Sequence, residues 1–239
     1  TNVSGCADTG RRTRDCPTWG GVTLTISGDN FGTTMSNVTI DGFACPLLAS
    51  SRTEITCILP PGVGAKLEVI VRQDTQYSLP AYISYARPEV NKPSFANALP
   101  SGQWHVSATG GDVINIRGTY YGAQMTSSLV RVYIGGKPCT ILTWLNTTEL
   151  DCRIPPGYGD TVDVKVCVRN QCSLPNDYLS YIPYVENISP DVGRVAGGTV
   201  VDVLGVGFLD IGAKQSCDFA GTLVPAVYKS PNRVQCSTP

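Results

Sequence analysis

Apolar and polar residues alternate in short runs along most of the chain, as at Leu24 and Ile26, Ile114 and Ile116, and Val201 and Val203. A period of two lines one face of a strand, so each run predicts a short β-strand with one buried face. Longer alternations recur at Leu67, Val69 and Val71 and again at Val162, Val164 and Val166. The 25 glycines and 17 prolines are spread so evenly between these runs that no window of helical length stands out. The pattern predicts an all-β chain.

The runs belong to a longer repeat. The segments GGVTLTISGDNFG from Gly20, GGDVINIRGTYYG from Gly110 and GGTVVDVLGVGFL from Gly197 start 90 and 87 residues apart (110 minus 20, 197 minus 110). A second block recurs as TEITCILPPGVG from Thr53, TELDCRIPPGYG from Thr148 and, cut short, NRVQCSTP from Asn232. Two copies then continue into YISY at Tyr82 and YLSY at Tyr178. Short strands separated by Gly/Pro turns in units of this size predict small antiparallel sandwiches. The aromatic at a fixed offset in each copy, Phe31, Tyr121 or Phe208, reads as a core plug. Gly205-Val206-Gly207 does not read as a phosphate loop, because no amphipathic helix follows it and the Lys-Ser/Thr of a P-loop is missing.

The order Ile188-Ser189-Pro190, a glycine pair, an alternating strand, Gly-x-x-Phe/Tyr and a later Cys followed by Pro resembles the IPT/TIG family of immunoglobulin-like domains. That resemblance implies tandem immunoglobulin-like β-sandwiches, two complete and one partial, of the kind found in plexins, the hepatocyte growth factor receptor, fibrocystin-like proteins and large surface proteins of protists and algae. It divides the chain into a first domain over 1–87 with an N-terminal disulfide loop, a second over 88–183 with a Pro-rich leading linker, and a partial third over 184–239. The linker, near 87–109, carries Pro88, Pro93 and Pro100 and is expected to hold the domains extended and semi-rigid without joining a sheet. The third copy stops at the position of Pro60 and Pro155, so its last strands are expected either from chain continuing past Pro239, the preferred reading, or from a neighbouring molecule adding a strand. Residues 1–16 are a candidate donor arm, although Cys6 and Cys16 are expected to close them into a local loop.

The ten cysteines divide evenly among the repeats, which favours disulfides and an oxidising compartment. Cys45 with Cys57 and Cys139 with Cys152 occupy matching places and are paired accordingly. Cys6 with Cys16, Cys167 with Cys172 and Cys217 with Cys236 follow as remaining neighbours. The counterparts of Cys167 and Cys172 in the first repeat are Arg72 and Tyr77, so both cysteines are present together or absent together. Sequons at Asn2, Asn37, Asn146 and Asn187 predict covalent N-glycans.

Composition narrows the function further. A net charge of −1 with 15% charged residues gives no general electrostatic case for nucleic acid or an anionic membrane. The basic run Arg11-Arg12-Thr13-Arg14 reads as a solvated loop. No apolar stretch approaches the roughly 20 residues that span a bilayer, no signal peptide is present, and the chain reads as a mature or excised segment. There is no C-x-x-C and one histidine, His105, read as part of a polar linker, so no metal or cofactor is expected and no catalytic residue is assigned. The expectation is a non-enzymatic, extracellular or cell-surface structural and adhesive segment of a large surface protein or filament, with protein partners or self-association through neighbouring domains. The alternative is a ligand-binding segment of a plexin-like receptor ectodomain. DNA-binding factors that share the fold name are disfavoured by the disulfides and the missing basic groove.

Overall fold

The structure, a computed structural model, describes residues 1–9, 12–32, 36–93, 102–123 and 128–239. Its architecture is tandem immunoglobulin-like β-sandwiches. In the first unit, Asn2–Ser4, Thr23–Ser27, Glu54–Ile58 and Leu47–Ser50 form one sheet in that order. Ala7–Thr9, Arg12–Cys16, Ala81–Tyr85, Leu67–Gln73, Asn37–Ile40 and Phe43–Ala44 form the other, with Gln76–Tyr77 paired to Leu67–Gln73. The alternating residues point inward between the sheets, where Leu24, Ile26 and Ile55 meet Val38, Val69 and Ile83. Burying each of these side chains stabilises the unit by about 1.5–3 kcal/mol.

The second unit repeats the strand order along the chain but joins its sheets differently, with Trp104–Ser107 and Leu179–Ile182 as a separate two-stranded sheet. Lys137–Asn146 is a continuous strand that pairs with Val130–Ile134 at its start and with Glu149–Arg153 thereafter, so it joins the two halves of a seven-stranded sheet. The first unit breaks the same strand between Phe43–Ala44 and Leu47–Ser50. Pro46 stands at the break, but a proline there does not by itself end the strand, since Pro225 holds the matching place in the third unit inside the unbroken strand Thr222–Ser230. In the third unit, Tyr184–Ser189, Val200–Val206, Arg233–Ser237, Thr222–Ser230 and Ser216–Phe219 form a five-stranded antiparallel sheet.

The repeated glycine motifs have a common geometry. Gly21, Gly111 and Gly198 each donate a 2.9 Å backbone hydrogen bond, to Leu59 O, Ile154 O and Thr238 O. That contact presses the preceding glycine onto the facing chain: a Cβ on Gly20 would lie 2.5 Å from Leu59 O, one on Gly110 2.6 Å from Pro156 N, and one on Gly197 2.1 Å from Pro239 O. All three have positive φ, a region that glycine enters without steric cost. Further along, the ring of Phe31 covers Gly28, Tyr121 covers Gly118 and Phe208 covers Gly205. The three rings are buried, which is the core-plug role. The Pro-Pro-Gly block is explained by the closing tyrosines: Tyr85 lies on Gly62 and Tyr181 on Gly157, and their hydroxyls donate to Pro60 O at 2.6 Å and Pro155 O at 2.8 Å.

Two sequence expectations change. Residues 1–16 are closed by Cys6–Cys16 but are integral to the first sandwich: Asn2–Ser4 pairs with Thr23–Ser27, and Arg12–Cys16 runs parallel to Ala81–Tyr85. The stretch read as a linker does the equivalent in the second unit. Glu89–Val90 pairs with Gly118 and Thr119, and Trp104–Ser107 runs parallel to Leu179–Ile182. One strand is thus shared between the two sheets with an insertion in the middle. Alternation over two to four residues is too short to be read from sequence beside three prolines. Pro100 and Arg11 lie outside the described residues.

Candidate interaction surfaces

Two hairpin tips meet between the first and second units. The hairpin of Asn37–Ile40 and Phe43–Ala44 turns at Asp41, and that of Val164–Val168 and Gln171–Cys172 turns at Arg169; both residues have positive φ. The Arg169 guanidinium grips both carboxylate oxygens of Asp41, with Nη2 3.1 Å from Oδ1. That hydrogen bond raises the Arg169 pKa above the ordinary arginine value. Because both side chains are about a third exposed, the pair contributes at most about 1 kcal/mol. Its geometry is more informative than its energy.

Beside it, Asn170 reads the backbone of the first unit: Ala65 N donates to Asn170 Oδ1 at 2.9 Å, and Asn170 Nδ2 donates to Ala65 O at 3.0 Å. Gln171 Nε2 donates to Tyr85 O at 3.0 Å. Val63, from the Pro-Pro-Gly loop of the first unit, is buried in the core of the second. The rings of Trp19 and Tyr120 stack across the same junction at 5.9 Å. A cavity of about 320 Å³ remains between the tips, lined by Ile40, Phe43, Val63, Leu129 and Arg169 among others. Burial, and secondarily the carboxylate of Asp41, holds the Tyr85 hydroxyl well above the ordinary tyrosine range.

The second and third units meet where Gly207 packs against Ala108: a Cβ on Gly207 would be 2.3 Å from the Ala108 methyl. Next to this contact lies an open groove of about 810 Å³ whose walls include Tyr181, Pro183, Val185, Val203, Phe208 and Phe219. The wall is predominantly apolar, so the groove would take an apolar strand or side chain more readily than a charged ligand.

The remaining site residues are distributed as follows. Cys6–Cys16, Cys45–Cys57, Cys139–Cys152, Cys167–Cys172 and Cys217–Cys236 are bonded, each pair within one unit. The third-unit bond is built differently from its relatives. Cys139 lies opposite Val132, but Cys217 lies opposite Val224, so the cysteine and the valine have exchanged strands. Asn37, Asn146 and Asn187 are exposed, whereas Asn2 is half-buried with its Oδ1 enclosed and unpartnered. Asn146 Oδ1 accepts from the backbone N–H and the hydroxyl of Thr148. His105 stands in a strand between the buried Trp104 and Val106 rather than in a polar linker. The basic run, read as a solvated loop, is instead from Arg12 onward part of the strand Arg12–Cys16 between Ala7–Thr9 and Ala81–Tyr85, with Thr13 buried and Arg14 exposed beside Asp15. Among the described residues, no three His, Cys, Asp or Glu side chains converge as for a metal, and no helix is long and apolar enough to cross a membrane.

The IPT/TIG domain model matches residues 14–85, 101–181 and 183–239. Fibrocystin-L of Homo sapiens is 26% identical over 223 residues, covering 91% of this chain and 5% of its own length. Fibrocystin-L of Mus musculus is 25% identical over 224 residues with the same coverage. The chain therefore spans a small part of the curated relatives it matches. Among solved structures, the plexin A4 extracellular region is similar with a TM-score of 0.34 at 20% identity, covering 93% of this chain and 20% of that one. A titin I9–I11 tandem is similar with a TM-score of 0.28 at 7% identity, covering 99% and 89%.

Proposed function

The chain belongs to the IPT/TIG domain family, and from that premise we propose that it is a structural and adhesive segment of a large extracellular or cell-surface protein. IPT/TIG domains are non-catalytic immunoglobulin-like modules. The observation that carries the reading is the junction of the first two units, where Arg169, Asn170 and Gln171 hold Asp41, Ala65 and Tyr85. A spacer has to fix the orientation of successive beads, and directional hydrogen bonds to backbone do this better than apolar contact alone.

The five disulfides favour an oxidising compartment. We divide the chain into domains over 1–87, 88–183 and 184–239, and place N-glycans on the exposed Asn37, Asn146 and Asn187, with Asn2 the least accessible of the four sequons. Protein partners, including neighbouring immunoglobulin-like domains, are the expected ligands.

Coating beads with the segment, secreted and glycosylated, tests the role. The beads should adhere to cells or to one another, and pulling should give discrete unfolding events from the first two units. Beads that do not adhere, or segments that extend without such events, would overturn the reading. Saturable binding of one soluble protein without adhesion would favour the receptor alternative.

A further inference from the structure

We propose that the hairpin closed by Cys167–Cys172 is a thiol-sensitive clasp that sets the orientation of the second unit against the first. Everything the second unit's tip gives to the junction lies between those two cysteines: Arg169 on Asp41, Asn170 on both backbone groups of Ala65, and Gln171 on Tyr85 O. Gln171–Cys172 is a two-residue strand, paired through Cys167 with Cys172 and Val168 with Gln171; beside the disulfide, the hairpin is held by Arg169 N donating to Leu129 O at 3.0 Å and Ser173 N donating to Val166 O at 2.9 Å.

The first unit shows what this hairpin is without the covalent bond. There Arg72 and Tyr77 occupy the paired positions, and the guanidinium rests over the ring at 5.6 Å. That hairpin has a non-covalent staple. The disulfide replaces it in the unit whose tip holds the junction.

The same bond is the one open to attack. Cys172 is exposed, whereas in each of the other four disulfides one cysteine is buried and the other is buried or half-buried. A thiolate of an external dithiol attacks Cys172 Sγ, and the S–S electron pair leaves on Cys167 Sγ, which takes up a proton. The second thiol of the reductant then displaces Cys172 Sγ, leaving two protein thiols and an oxidised reductant. The clasp does not depend on the adhesive role, because it concerns only how the two units are held.

Graded reduction of the full chain with dithiothreitol, followed by alkylation and peptide mapping, should label Cys167 and Cys172 about tenfold or more ahead of the other eight cysteines. Residual dipolar couplings on the same samples should give one common alignment for the first two units when oxidised and divergent alignments after this selective reduction. The C167S/C172S double variant should behave like the reduced chain. R169A/N170A, with the disulfide intact, should diverge as well and covers the case in which the double variant does not fold. Earlier labelling of another pair, or an alignment that stays common after reduction or in R169A/N170A, would overturn the clasp.

Discussion

Replacing Gly110 with alanine, and separately Gly111 with alanine, tests why each unit opens on a glycine pair. Both residues have positive φ, 73° and 93°, so each substitution carries the left-handed cost of about 1–2 kcal/mol. Only Gly110 faces a wall. Its Cβ would lie 2.6 Å from Pro156 N, 2.7 Å from Pro155 C and 2.9 Å from Ile154 O, whereas a Cβ on Gly111 would meet nothing within 4 Å. Those atoms are backbone, held by the Gly111 N–H to Ile154 O bond, and cannot turn away as a flexible side chain would. Forcing a methyl into such a contact adds about 1–3 kcal/mol, so G110A should cost about 2–5 kcal/mol in total and G111A about 1–2 kcal/mol. For a unit of this size, each kcal/mol corresponds to roughly 4–8 °C in Tm. Because the chain has several units, the measurement is native-state hydrogen exchange at second-unit amides such as Ile154, whose N–H bonds to Asp112 O. Equal losses for the two variants, within about 0.5 kcal/mol, would refute the close-approach explanation and leave backbone conformation as the whole reason for the pair.

Three further outcomes follow from the same packing. Tyr181→Phe removes the 2.8 Å bond to Pro155 O while keeping the ring on Gly157, so it should destabilise the second unit by about 1 kcal/mol; no shift in its denaturation midpoint would sink the assignment. Burial pushes the Tyr181 hydroxyl up to about 12 and also raises Tyr85 and Tyr121, while an unfolded tyrosine ionises near about 10. The folded pKa is the higher one, so this stability is full below about pH 10 and is lost as pH rises through the folded values; urea midpoints should fall across that window, and fall less in Y181F. Cys139→Ser strands Cys152, which is completely buried, and should cost the second unit about 2–5 kcal/mol with little change in the exchange rates of the first.

Strand periodicity was legible because each residue reports its own burial: Leu24 and Ile26, or Ile114 and Ile116, face a core wherever their strand is placed. The repeated motifs were legible for a related reason. Gly110 is held by Pro155 and Pro156 of its own unit, and Tyr181 by Pro155 and Gly157, so the same geometry within a unit recurs, the glycine pair in all three copies and the tyrosine in two, and leaves the same letters behind. Fold class and family rest on such patterns, and both were readable without coordinates. His105 and its neighbours were misread as linker because Trp104–Ser107 shows its alternation over four residues and finds its partner, Leu179–Ile182, more than seventy positions away.

The tertiary structure decided what happens between units. Arg169 and Asp41 are 128 positions apart, and although their turns recur, the matching places hold other residues, Asp74 for Arg169 and Gly135 for Asp41; each is an ordinary turn residue until the two units dock and bring the tips together. The exchange of Cys217 and Val224 between strands is likewise invisible to spacing, because either strand can deliver a sulfur to Cys236. Sequence by itself determined the beads, since local periodicity and a self-contained core suffice to specify them. How one bead is held against the next depends on the relative placement of whole sandwiches, a property that no single segment encodes.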